Sequence, residues 1–160
     1  FHYFDFRDLE PNKWNNIDGL EVNPTYSPHP VENVIFQFRS LWHDGYKTYT
    51  HLADICAFDH IDQLINQNNK IAELAKNTFL EPATLKKIDI GGGMIHGRAS
   101  DFKNDQSNKI VLAHTAFELN KEQKEIGSSA SFGTVDILIP NTQTQELRSA
   151  FYFFKNIKLI

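Results

Sequence analysis

Three side chains stand where a backbone could hold them still, and all three can bind a divalent cation. They are His29 in Ser27-Pro28-His29-Pro30, Asp54 at the end of Thr48-Tyr49-Thr50-His51-Leu52-Ala53-Asp54, and His114 at the end of Lys109-Ile110-Val111-Leu112-Ala113-His114. Imidazole and carboxylate are ligands of Zn2+ and of non-haem iron, and a strand end fixes a ring or a carboxylate better than a loose loop does. The prolines on both sides of His29 stiffen its backbone further. Each group also has an ordinary reading: His29 as a turn residue, Asp54 as a cap before a helix, His114 as a hydrogen-bonded core histidine.

A fourth candidate lies in Ile88-Asp89-Ile90-Gly91-Gly92-Gly93-Met94-Ile95-His96-Gly97. Three glycines after a strand let backbone approach a ligand closely, or simply make a tight turn. The glycine spacing is not that of the dinucleotide fingerprint, and no Gly-Lys-Ser/Thr closes a phosphate-binding loop. His96, with Asp101 after it, is a group that could line a substrate pocket or replace His114 as a ligand. His43, His51 and His60 read as surface or turn residues, and His2 has no assigned role.

The elements that must position these groups begin with strands. Residues 2–8 alternate aromatic with polar, Leu20-Glu21-Val22 leads into Asn23-Pro24, and Val34–Arg39 and Tyr46–Ile55 are joined by the hairpin signal His43-Asp44-Gly45. Beyond Asp59 the apolar residues Ile61, Leu64, Ile65, Ile71, Leu74 and Ala75 follow helical spacing, broken by the polar run Asn66–Lys70 and ended by Pro82. Two helices or one irregular helix would satisfy this. Strands are expected again at Lys86–Ile90 and Lys109–His114. Asn120 is placed to cap a short helix, Lys121–Ile126, stopped by Gly127. Val135–Ile139 is mostly apolar, and Leu147–Phe154 is a helix with an aromatic face or a last strand. Strands in hairpins followed by strands alternating with helices give a mixed α/β fold, antiparallel hairpins with helices on the sheet.

The chain has 160 residues, 41% of them hydrophobic and 22% charged, which suits one domain with a real core. A net charge of −4 without a basic block argues against holding nucleic acid by charge. One cysteine, Cys56, makes no internal disulfide, and no apolar run has the length of a membrane span. The expected setting is cytoplasmic, with no membrane. The only methionine is Met94 and the chain opens on an aromatic alternation, so it is expected to be a piece of something longer.

The order of the site residues carries a resemblance. A histidine in an HP context, a hairpin, an aspartate at the end of the next strand, a helical segment and a hydrophobic strand ending in histidine resemble the C-terminal half of the metallo-β-lactamase fold of metallohydrolases. The resemblance covers roughly residues 1–120, leaving 121–160 as a C-terminal extension. It implies half of an αββα sandwich and a centre of two divalent metal ions, Zn2+ ahead of Fe. In it His29 would bind one metal, Asp54 would bridge, and His114 would bind the other. The family's first ligand motif, His-x-His-x-Asp-His, occurs nowhere in this chain. The missing N-terminal half, in the same gene or in another chain, is therefore the expected partner, and this chain alone is expected to bind metal weakly or not at all.

The activity so implied is hydrolysis of a phosphodiester or a (thio)ester or lactone in a small-molecule substrate by a metal-bridging water. Two readings of another class stand beside it. One is a non-hydrolytic di-iron oxygen or nitric oxide sensor. The other is a metal-free α/β interaction domain, with Phe151-Tyr152-Phe153-Phe154 against a neighbour.

Overall fold

The computed structural model of the chain describes residues 6–91, 95–115, 118–130, 133–136 and 138. Strands β1 (Asn15–Ile17), β2 (Leu20–Tyr26), β3 (Val34–Trp42) and β4 (Gly45–His51) form an antiparallel meander. Helices α1 (Phe58–Asn66) and α2 (Lys70–Leu80) then lead to β5 (Leu85–Asp89), β6 (Ile110–Ala113), α3 (Lys121–Ile126) and β7 (Ser128–Ser129). From β4 onward neighbours pair in parallel, so a single seven-stranded sheet, in chain order throughout, changes from antiparallel to parallel at β4. No helix among the described residues is long and apolar enough to cross a membrane.

Local chemistry accounts for most of these boundaries. The β3–β4 hairpin closes on Trp42 opposite Gly45, whose φ of 116° only glycine adopts without strain. The polar run after α1 is a cap: Asn69 accepts a hydrogen bond from the Ala72 N–H at 3.1 Å, so two helices form. In α3 the side chains of Asn120 and Gln123 each accept from the other's backbone N–H at 2.9 Å, a reciprocal cap for a helix under two turns long. Gly127 does follow that helix, but in extended backbone. Its place is fixed by close approach to β6, where a Cβ would lie 2.9 Å from the Ile110 carbonyl oxygen.

Other boundaries depart from expectation. The strand expected to run to Ile55 stops at His51, because the His51 ring accepts from the Ala53 N–H at 3.0 Å and Ala53 turns the chain with φ of 54°. Asp54 therefore lies beyond the strand, on the turn that leaves it. β2 does not end before Pro24 but continues to Tyr26; the Pro24 carbonyl accepts from Asn12 N at 2.7 Å on the outer side, so the missing N–H falls on the side away from β3. Strand β1 has no clear signal in the sequence, and residues 6–8, expected to close a first strand, carry none; residues 1–5 lie outside the described residues. The segment Leu147–Phe154 also lies outside them, and Val135, Asp136 and Leu138 form no strand.

The helices cover one face of the sheet. Ile35, Ile88, Ile110 and Leu112 meet Ile61, Ala72, Ala75, Phe79 and Phe102 in the main core. On the opposite face Phe36, Phe38 and Tyr49 stack in a row and stay only half-buried. Within the core sits a charge: Lys86 is wholly buried and its Nζ donates to the Phe79 carbonyl at 2.8 Å and to the equally buried Asp105 carboxylate. Burial pulls the Lys86 ammonium below its usual range, and Asp105 opposes that pull. Removing one member of such a pair strands the other without water. Asp105→Ala is expected to lower stability by about 3–5 kcal/mol in urea unfolding, and the double change Lys86→Met with Asp105→Leu to recover most of it.

Candidate metal centre

Strand direction gathers the candidate groups. β2 and β4 both pair antiparallel with β3, and β5 and β6 run parallel to β4, so all four end at one edge of the sheet. The segments leaving that edge carry His29 after β2, Asp54 after β4, Asp89 and His96 at and after β5, and His114 after β6. In open α/β sheets the crevice outside the carboxyl ends of the strands is where ligands bind.

Each group is held by its own local structure. Ser27 N donates to the Asn33 carbonyl at 3.0 Å, closing the loop that carries His29, and the Cys56 thiol donates to the Pro28 carbonyl at 3.0 Å. The Asp54 carbonyl accepts from the Asn33 side-chain amide, which joins that loop to the next. His96 pairs with Cys56 in an antiparallel bridge, framed by Ala57 N to Ile95 O at 2.7 Å and Gly97 N to Ile55 O at 2.8 Å. His114 leaves β6 with φ of 56°, and Gly91 lies so close beneath it that a Cβ there would sit 1.4 Å from the His114 carbonyl oxygen. The first glycine of the run is thus required by two chain exits passing in contact.

The side chains converge on Asp89. Its carboxylate is 2% exposed and faces His114 Nδ1 at 3.0 Å and His96 Nδ1 at 3.9 Å, while its other oxygen accepts from Gly91 N at 3.0 Å. Asp54 reaches within 4.0 Å of His114 Nδ1 and touches the Asp89 carboxyl. The His96 ring lies between those of His29 and His114, with centroids 5.4 and 5.7 Å away. Burial first, then the Asp54 carboxyl, push the pKa of Asp89 up. Asp54 is held low, chiefly by its hydrogen bond with Asp89, and His114 is raised by its hydrogen bond to Asp89.

Two buried nitrogens, His29 Nε2 and His96 Nδ1, have no hydrogen-bond partner among the described residues. Leaving a buried polar atom unpaired costs about 1–3 kcal/mol, so an orphan of this kind calls for an explanation. Two imidazoles and a carboxyl, from His96, His114 and Asp89, bring donor atoms within 4.8 Å of one another, a set that fits a divalent metal, with His29 and Asp54 at its margin. Asp101 stands apart: its carboxylate accepts from the backbone N–H groups of Phe58 at 3.3 Å and Arg98 at 3.1 Å and closes the 3-10 turn Ala99–Phe102. The group that the sequence did not single out is Asp89, an acid ending a strand just before the glycines, the same signal that singled out Asp54. A cavity of about 280 Å3 opens beside His96, lined also by Arg98, Ser100 and Asn120. Another of about 480 Å3 opens beside His114, over Tyr49, Lys87 and Val111.

No protein-family model matches the sequence, and no curated protein matches it. The structure is similar to that of the metallo-beta-lactamase fold protein YhfI from Bacillus subtilis, with a TM-score of 0.50, 16% identity and coverage of 76% of this chain. The fold is of the metallo-β-lactamase type. The chain spans about half of YhfI, 49% of its length. At the shared strand edge, position 91 has no room for a side chain. Gly91→Ala is expected to cost about 1–3 kcal/mol in urea unfolding through overpacking against His114, with the His114 ring resonances shifted in NMR spectra.

Proposed function

We propose that this chain is part of a metal-dependent hydrolase of the metallo-β-lactamase superfamily, acting on a phosphodiester or a (thio)ester or lactone in a small molecule. The observation that carries the reading is the convergence of His29, Asp54 and His114 on one strand edge, next to two buried imidazole nitrogens without a partner among the described residues. In this reading His29 holds one of two divalent ions, Zn2+ ahead of Fe, Asp54 bridges them and His114 holds the other. Such ions supply a nucleophile at neutral pH by acidifying water, and they offset the charge that develops on the attacked centre.

The chain's own residues prepare the site for that chemistry. In the metal-free chain Asp89 holds the His114 ring at the strand end through Nδ1. His114 and Asp54, 56% and 53% exposed, leave the front of the centre open to a substrate, whereas Asp89 behind them is sealed. The cavity beside His114 is of a size that suits a small molecule, and a net charge of −4 favours one over a polyanion.

The second ion needs donors that this sequence does not contain. We assign them to a second half of the fold, in the same gene or in another chain, which would also cover the half-buried row of Phe36, Phe38 and Tyr49. A cytoplasmic setting goes with this reading, Cys56 being a free, buried thiol. The test is hydrolysis of bis(p-nitrophenyl) phosphate and of p-nitrophenyl ester and thioester probes by the zinc-loaded protein carrying both halves. Turnover is expected to stop with a chelator and to fall about 100-fold or more in Asp54→Ala. Turnover indifferent to both, or absent with every probe, would contradict the proposal.

A further inference from the structure

We infer that this chain holds one divalent transition-metal ion by itself, through Asp89, His96 and His114. The inference deepens the reading of this edge as a metal centre and rests on it, but it needs neither the second half nor His29. Its ligand set adds Asp89 and His96 to the residues assigned above.

The three donors come from two neighbouring parallel strands and the segments leaving them. The β5–β6 register sets Asp89 opposite Ala113, so His114 follows directly beside it. One donor atom from each of the three residues lies within 4.8 Å of the other two. A tetrahedral zinc with ligands at about 2.1 Å separates its donors by about 3.4 Å. The spacings of 3.0 Å from His114 Nδ1 to Asp89 and 3.9 Å from His96 Nδ1 to Asp89 bracket that edge.

Burial argues in the same direction. His96 is 18% exposed and its Nδ1 faces Asp89 with no hydrogen-bond partner among the described residues. At 3.9 Å the pair is too far apart for a hydrogen bond, and a cation between them would satisfy both the nitrogen and the carboxylate. The donors are also held before any ion arrives. The Cys56–His96 bridge fixes the His96 segment, and a Cβ on Gly97 would lie 2.4 Å from Ile55 Cδ1, so this turn is pressed against the core. A site already formed in the folded chain binds without the cost of ordering a loop.

Two histidines and one carboxylate match a zinc site that keeps a position open, as opposed to a closed structural site of four protein ligands. His114 and Asp54 are the exposed members of the cluster, so a further ligand such as water would reach a bound ion from their side.

The 160-residue chain, freed of metal with a chelator and dialysed, is titrated with Co2+ under visible absorption and then with Zn2+ in competition. One equivalent of Co2+ is expected, with the intense d–d bands of four-coordinate cobalt. Affinity should fall about tenfold or more in His96→Ala and in Asp89→Asn, with circular dichroism unchanged, while His29→Ala keeps a stoichiometry of one. His96→Gln keeps side-chain size if the alanine variant loses its fold, and the same loss of affinity is expected. Absence of saturable binding, or binding unaffected by either His96 variant, overturns the inference. Binding that depends on His29 and Asp54 but not on His96 also overturns it and leaves the hydrolase reading standing. Binding that depends on His96 in a protein without hydrolytic turnover supports the inference and removes that reading.

Discussion

The buried carboxylate of Asp89 is the constraint on which the site depends. An acid buried at the end of a strand, out of reach of water, must find donors or a cation, because desolvation disfavours its charge. It is met by the Gly91 N–H on one oxygen and by His114 on the other, with Asp54 in contact and His96 facing it. Those contacts set the surrounding backbone. His114 takes a left-handed conformation to point back at the strand end, and Gly91 has no side chain because the His114 carbonyl occupies its space.

Strand β5 carries two buried ionisable groups, and they are treated differently. Lys86 has a complete set of partners within the protein, a carbonyl and a buried carboxylate, and reads as structural. Asp89 has a shared and crowded environment in which two imidazole nitrogens nearby have no partner among the described residues. The difference separates a charge satisfied within the core from one whose neighbours are left with unpaired nitrogens. β2 and β4 reach the shared edge through the antiparallel meander and β5 and β6 by parallel pairing with β4, so groups after all four strands meet there.

Local signals in the sequence were sufficient for the β3–β4 turn and the Asn120 cap, since each is written in residues adjacent along the chain, whereas the polar run Asn66–Lys70 left one helix or two open until the Asn69 cap decided it. The α/β class followed from them. The resemblance to the metallo-β-lactamase fold rested on His29, Asp54 and His114, and the structural likeness to YhfI bears out the fold. What was not legible depends on contacts between distant segments. The strand before Asp54 stops at His51 because of a ring-to-backbone bond, and β2 passes through Pro24 because its outer neighbour is short there. Asp89 joins the cluster only because β6 lies beside β5, and Asp101 is committed to capping backbone N–H groups.

The account makes a spatial claim, that a cation belongs between Asp89, His96 and His114. Anomalous diffraction at the zinc edge, from crystals of the chain grown with zinc, tests it most directly. The account predicts one strong peak about 2.0–2.2 Å from a donor atom of each of the three residues. A peak bound only by His29 and Asp54, or no peak at this edge of the sheet, would contradict it.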